Sequence, residues 1–266
     1  RGMGLIGAAF GLGFLFGPLI GALLSQYGYA VAGLGSAGFS LIAFIFALFF
    51  LPESIKTQSK KDKFKPRFFD ISYAKKVLQY PSLGLLIILF FIIVFSMANI
   101  YGTFALLGYK VYGFTDQQNG ILFGFSGLTA ALVQGVLMKY FSKYKEKNVI
   151  LTGSLFMMLG LALMPYGINF TGVAIIISIF SIGTGVLQPI ILSMISKLSP
   201  DKEQGAILGL NQSFSAFARV LGPLWGGFAY DYLGYQFPFI TGAVFTFITF
   251  LLAYFLLQNE RKTVNV

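Results

Sequence analysis

The chain has 266 residues, 56% of them hydrophobic and only 11% charged, far below the roughly 25% charged residues of an ordinary soluble domain. Nineteen basic against nine acidic residues give a net charge of +10, and cysteine and histidine are both missing. This excludes a water-facing globule, disulfides, thiolate chemistry and the usual zinc sites, so no metal is expected. Nucleic acid is not implied either. The lysines sit in the connections between long apolar blocks, which is how membrane orientation is encoded. The expectation is an all-α integral membrane protein whose main partner is the lipid bilayer.

A spanning helix needs about 20 mostly apolar residues. Eight segments qualify, roughly 4–24, 30–51, 83–108, 119–138, 149–168, 171–195, 206–230 and 237–257. The first connection, Ser25 to Tyr29, carries no charge, whereas the second, Pro52 to Ser82, is rich in lysine from Lys56 to Lys76. The third has Lys110 and Asp116, and the fourth has Lys143, Lys145, Glu146 and Lys147, with Lys139 just before it. The fifth, around Asn169, is bare; the sixth carries Lys197, Asp201, Lys202 and Glu203, and the seventh only Asp231. Even-numbered connections and both ends are therefore basic. The positive-inside rule puts Arg1, residues 52–82 and the tail in the cytoplasm, and eight spans return the chain to its starting side. Within 52–82 the first half reads as a flexible linker. Phe68 to Tyr80 reads as a short amphipathic helix on the membrane surface.

One short pattern occurs twice. Gly13, Gly17, Pro18 and Gly21 in the first span match Ala218, Gly222, Pro223 and Gly226 in the seventh. At the same offset Gly4-Leu5 meets Gly209-Leu210, and Tyr27 meets Tyr232. A small residue every fourth position allows a second helix backbone to approach closely. The proline removes an N–H and crowds the carbonyl four residues back, so each copy is expected to kink. For a single copy, packing glycines and an ordinary membrane-helix proline are explanation enough. Two copies in equivalent places argue for a duplicated fold.

These residues resemble the major facilitator superfamily, and within it the drug:proton antiporters that include tetracycline efflux proteins. The antiporter motif of that group reads G-x-x-x-G-P-x-x-G-G, here Gly13, Gly17, Pro18 and Gly21, with Ala22 in place of the last glycine. Gly135, Leu137, Lys139 and Lys143 match a weakened copy of the superfamily's cytoplasmic gating loop, without its aspartate. Ser199 to Gly205, followed by Asn211-Gln212-Ser213 and Arg219 to Pro223, looks like the region from the tenth to the eleventh helix of bacterial members. The resemblance implies a major facilitator fold with eight transmembrane helices of an expected twelve. Residues 1–51 would be the last two helices of the N-terminal half and 52–82 a cytoplasmic basic linker. Residues 83–258 would be a complete six-helix C-terminal half, and 259–266 a cytoplasmic tail. The first four helices would be missing, and with them the proton-carrying acidic residues often found there.

Arg219, near the middle of its span, is the strongest single pointer, because a charge there costs about 2.5–3.5 kcal/mol on insertion scales. Two readings stay open: a structural arginine paired with carbonyls or a carboxylate, and a substrate or gating contact. Asn211, Ser215 and Arg219 recur every fourth residue with Gln212 beside them, and such a stripe lines a cavity or binds a neighbouring helix. Ser96, Asn99 and Thr103 stack similarly near Tyr101, and Gln134 and Gln188 are further pathway candidates. No phosphate-binding loop or catalytic constellation is present, so no enzyme and no cofactor is expected; a proton gradient would be the energy source. The leading expectation is a secondary transporter in the cell (inner) membrane, monomeric when full length, exporting small apolar compounds in exchange for protons. Its alternatives are a facilitator or symporter of sugars or other metabolites, and a sensor or scaffold that holds a partner through 52–82.

Overall fold

The computed structural model describes residues 13, 16–51, 71–141, 143–200 and 203–257. In chain order the helices are α1 Phe16–Ser25, α2 Tyr29–Phe50, α3 Ile71–Leu78, α4 Pro81–Lys110 and α5 Asp116–Leu132. A π-helical turn, Val133–Leu137, joins α5 to α6 Met138–Phe141. Then come α7 Glu146–Leu163, a 3-10 turn Met164–Tyr166, α8 Phe170–Leu198, α9 Gln204–Tyr232 and α10 Phe237–Leu256. Each expected apolar segment from 30 onward thus coincides with a helix. The beginning of the first segment lies outside the described residues.

Helix ends obey local chemistry. Thr115 accepts from the backbone N–H of Gln118 at 3.2 Å while the Gln118 side chain accepts from Thr115 N–H at 2.9 Å, a complete capping box that starts α5. Asn169 accepts from Gly172 N–H at 2.8 Å and starts α8. Pro81 and Pro238 stand in the first turns of α4 and α10, where the missing N–H breaks no helical bond. The two motif-bearing helices, α1 and α9, each lead into a glycine at positive φ, Gly28 at 109° and Gly234 at 117°. The repeat therefore extends past the helix into its exit turn, one residue out of register.

Helix packing is set where backbones can approach. Helix α4 is the hub, packed by α9, α10 and α8, while α7 lies between α8 and α10. On α9, a Cβ at Gly222 would sit 2.8 Å from the backbone N of Asn99 and 2.9 Å from the carbonyl of Phe95. One at Gly226 would sit 2.6 Å from the Asn99 carbonyl. Between α7 and α8, a Cβ on Gly160 would meet the Phe180 Cα at 2.6 Å, and one on Gly183 the Met157 Cα at 2.7 Å. Such distances leave no room for a methyl group, so these seams exist only because the positions are glycine.

Two expectations change, and the count of eight spans is met in part. Among the described residues six helices are long and apolar enough to cross a membrane: α2, α4, the run 116–141, 146–166, α8 and α10. Helix α9, 29 residues long, is left out of that set by its polar middle, Asn211 to Arg219, and only ten residues of α1 are described. The small-xxx-small face is realised in the second motif copy alone, since a Cβ at Gly13, Gly17 or Gly21 would meet nothing within 4 Å. And α3 docks on the bundle. Ala74 and Val77 are buried against the core, Tyr73 donates to Glu203 at 3.5 Å, and Lys76 lies 3.9 Å from the same carboxylate. Partial burial, then the Glu203 charge, raises the Tyr73 phenol above its usual range, so it stays a neutral donor at physiological pH.

A branched side chain in the α4–α9 seam is expected to be costly. Gly226→Val should lower stability by about 1–3 kcal/mol in thermal unfolding of the purified protein, while Gly227→Ala, in open space one residue on, should stay within about 0.5 kcal/mol.

Candidate functional site

A cavity of about 80 Å³ opens where α1, α4, α5, the π turn and α8 converge. Pro18 comes from α1, Met97 and Tyr101 from α4, and Gln134 from the π turn. Phe123, Ser126 and Ala130 of α5 and Phe180, Thr184, Gly185 and Gln188 of α8 complete the wall. It has room for several waters but falls short of the ~300 Å³ at which ligand pockets begin. The lining is mostly apolar, with hydrogen-bonding side chains from Tyr101, Ser126, Gln134, Thr184 and Gln188 and no carboxylate.

Local sequence explains the wall. The hydroxyls of Ser126 and Ser181 lie 2.7 Å apart and tie α5 to α8, and Ser181 also donates to the Ile177 carbonyl. Gln188 donates to the Met97 sulfur at 3.0 Å, a link from α8 to α4. Pro189 has no N–H, so the carbonyl of Gly185, itself on the wall, lacks its helical donor. The π turn adds one residue to the helix and so rotates the remainder of that helix by about 100°. It carries Gln134 to the cavity, with Val133 packed where a Cβ on Gly185 would lie 3.2 Å away.

Of the pathway candidates, Tyr101, Gln134 and Gln188 line this cavity, as does Pro18 of the motif. Asn99 does not. It is wholly buried, its amide donates to the Pro238 carbonyl, and Thr103 donates back to the Asn99 carbonyl at 2.8 Å. The Ser96, Asn99 and Thr103 stripe thus faces the seams with α9 and α10, and Tyr101 projects from the other side of the helix. The stripe on α9 also divides. Asn211 and Ser215 are fully buried, whereas Gln212 and Arg219 are exposed. A fourth-residue repeat drifts by about 40° per step, so eight residues turn it by about 80°, out of the seam. Asn211 finds no hydrogen-bond partner among the described residues, and Ser215 donates to the Asn211 carbonyl at 3.0 Å.

Arg219 is exposed on α9 and is not among the residues that line the cavity. Trp225 donates to Thr241 at 3.0 Å and so marks the α10 side of α9, about 120° away from Arg219. Tyr230, whose hydroxyl donates to the Leu106 carbonyl at 3.4 Å, lies within about 20° of the Arg219 direction. The proposed gating residues separate. Gly135 belongs to the π turn and Lys139 to α6, because the helix continues to Phe141; only Lys143 is in the connecting turn, its ammonium 5.7 Å from the Tyr140 ring.

Two groups of residues escaped the sequence reading. On α5, Gly120 and Gly124 receive α1: a Cβ on Gly120 would lie 3.1 Å from the Pro18 carbonyl, and one on Gly124 2.7 Å from Leu19 Cδ2. Just beyond, the Tyr29 hydroxyl donates to Asp116 at 2.6 Å. The first motif copy therefore meets glycines of its partner instead of offering its own. A G-x-x-x-G spacing at 120–124 was the available signal.

The Major Facilitator Superfamily model matches residues 1–223 and again 148–265. Mouse major facilitator superfamily domain-containing protein 10 is 25% identical over 95% of this chain and 59% of its own length. Multidrug resistance protein 1 of Bacillus subtilis is 26% identical over 91% of this chain and 61% of its own. The class E tetracycline resistance protein of Escherichia coli is 27% identical over 86% and 56%. The crystal structure of a human organic anion transporter superposes with a TM-score of 0.73, at 25% identity, over 95% of this chain and 63% of that one. The chain thus spans about three fifths of the length of these relatives.

Because the chain has no native cysteine, single cysteines report on this site directly. Gln134→Cys and Gln188→Cys should react readily with a small thiol reagent, and Asn99→Cys and Asn211→Cys slowly or not at all, measured as labelling rates in membranes.

Proposed function

The chain belongs to the Major Facilitator Superfamily, and on that premise we propose that it works in a secondary active transporter that exports small apolar or amphipathic compounds by alternating access. The observation that carries this reading is the mixed apolar and polar cavity between α1, α4, α5 and α8, with Pro18 of the antiporter-type motif in its wall. In this reading α1 and α2 are the last helices of one half and α4 to α10 form the other, with the basic connections in the cytoplasm. Two features support a state closed on the side opposite the basic connections. The cavity is smaller than a drug-sized ligand, and Tyr29 holds Asp116 across the two halves at that end. Substrate entry then requires α1 to separate from Gly120 and Gly124, and domain rocking would supply that movement.

Proton exchange is the proposed coupling, and its support is the motif and the names of the resistance-protein relatives. The described helices hold no carboxylate between their first and last turns, so the exchanging group would lie elsewhere. Uptake of sugars or metabolites is the second reading within transport. The Gly17-Pro18 motif and the carboxylate-free lining of the described cavity favour the first.

One charge moved through 100 mV supplies ~2.3 kcal/mol, enough to sustain roughly a fifty-fold gradient. Cells or proteoliposomes carrying the full-length protein should therefore hold a fluorescent amphiphile well out of equilibrium, and a protonophore should return the ratio to about one. Export that persists after the proton gradient is collapsed would exclude proton coupling while leaving transport intact.

A further inference from the structure

Helix α8 gives up a backbone hydrogen bond in the cavity wall. Pro189 has no N–H to offer the carbonyl of Gly185, and both Gly185 and the neighbouring Gln188 are lining residues. A helical carbonyl points toward the C-terminus, so this one points at the turn that carries Gln188 and Pro189. Glycine adds no side chain to screen it. The space on its Cβ side is taken instead by Val133 of the π turn, 3.2 Å from where a Cβ would lie. The Gly185 carbonyl is thus an acceptor that lacks its ordinary donor, fixed in place by a rigid helix.

Gln188 supplies the opposite group. It stands three residues on, on the same face of α8, and helical side chains lean back over the preceding turn, here the turn of Gly185. Its amide donates to the Met97 sulfur at 3.0 Å. A thioether is a weak acceptor, so this contact holds the amide in position and yields to a better oxygen. No lining residue carries a charge, and an ion entering the cavity would lose its water without meeting a counter-ion. Met97, Tyr101, Phe123 and Phe180 add flat, polarisable surface. The complementary ligand is uncharged, with an aromatic body and a planar head that carries an acceptor and a donor side by side.

We propose that Gln188 and the Gly185 carbonyl form a donor–acceptor pair that selects uncharged aromatic carboxamides and lactams. The amide oxygen of the ligand accepts from Gln188, and its N–H donates to the Gly185 carbonyl. The inference deepens the transporter reading of this cavity and rests on it for its purpose, while binding and transport are measured separately. At about 80 Å³ the described state holds the head group, and the aromatic body follows once α1 separates from Gly120 and Gly124.

The test is equilibrium binding to the full-length protein in phosphatidylcholine vesicles, corrected for partitioning into protein-free vesicles. The matched probes are 2-naphthamide, 2-acetonaphthone (an acceptor only), 2-naphthoate and 2-naphthamidinium. The amide should bind tightest, the ketone about three- to tenfold more weakly for want of one neutral hydrogen bond, and the two ions weakest. Pro189→Ala returns an N–H to the helix and so gives the Gly185 carbonyl its partner back. It should lower amide affinity to that of the ketone and leave the ketone unchanged, whereas Gln188→Leu should weaken both. Equal wild-type affinity for amide and ketone, tighter binding of either ion, or a Pro189→Ala variant that keeps its amide preference would overturn the proposal. So would a Gln188→Leu variant that binds both as before. An equal loss of both neutral probes in Pro189→Ala would overturn it too, as the mark of a proline that only shapes the helix. If that variant cannot be purified, the wild-type ranking of the four probes decides. Amide selection without export would keep the site and refute the transporter reading; export of an amphiphile without amide selection would do the reverse.

Discussion

Helices surrounded by lipid gain nothing from leaving it, so contact has to be won by closeness. In this chain closeness is a matter of missing side chains. Gly222 and Gly226 lie on the backbone of α4, and Gly160 and Gly183 on the backbones of α8 and α7. Dispersion grows steeply as backbones approach, and each such pair also brings carbonyls and hydroxyls within reach across the seam. The result is that α4 with α9, and α7 with α8, behave as welded pairs. Helix α10 is fastened to the first pair, with Thr241 accepting from Trp225 of α9 and the Pro238 carbonyl from Asn99 of α4. Helix α1 meets α5 at the Gly120 and Gly124 notch, where the Pro18 carbonyl and Leu19 approach, and the cavity lies beside that junction.

Polar residues in such a protein divide by whether the seam has room for them. Asn99 and Thr103 each donate to a carbonyl, and membrane hydrogen bonds of this kind contribute about 0.6–1.7 kcal/mol each. At the cavity edge the Ser126 and Ser181 hydroxyls bond each other, and Ser181 donates to the Ile177 carbonyl. Asn211 is the extreme case: both its amide atoms are buried without a partner among the described residues, where Ser96, Asn99, Asn119 and Ser154 each leave one such atom, and each group so stranded costs about 1–3 kcal/mol. Arg219, two turns along, escapes that cost because the helix has rotated it out of the seam.

This rotation marks the limit of what could be read from residue spacing. Apolar block lengths located the helices, since bilayer thickness leaves little freedom; the Thr115–Gln118 box and the Asn169 cap, which fix where α5 and α8 begin, went unread. Spacing could group Asn211, Ser215 and Arg219 on one face, but the edge of that face depends on where α4 stops touching α9. The docking of α3 was unreadable for a similar reason: its anchor, Glu203, is far away in sequence. The π turn leaves no trace in an apolar pattern, because one inserted residue shifts a periodicity that 133–141 barely has. The first motif copy was misread in its mechanism, because identical glycines mean different things when the partner helix brings its own.

The prolines offer an independent check on where the pathway runs. Pro81, Pro165 and Pro238 stand at helix starts, where no hydrogen bond is lost. Pro189 and Pro223 stand inside helices, and an interior proline strands a carbonyl that lipid cannot satisfy. Pro18 is cavity wall, and Pro189 strands the carbonyl of Gly185, also cavity wall. Pro223 strands the carbonyl of Arg219, away from the cavity lining. Two helices thus relinquish a backbone hydrogen bond, and one of the two freed carbonyls, that of Gly185, belongs to the cavity wall. Such a loss is tolerated in a membrane only where water or a polar group replaces it, so at Gly185 backbone chemistry and the polar side chains of the lining indicate the same point on the molecule.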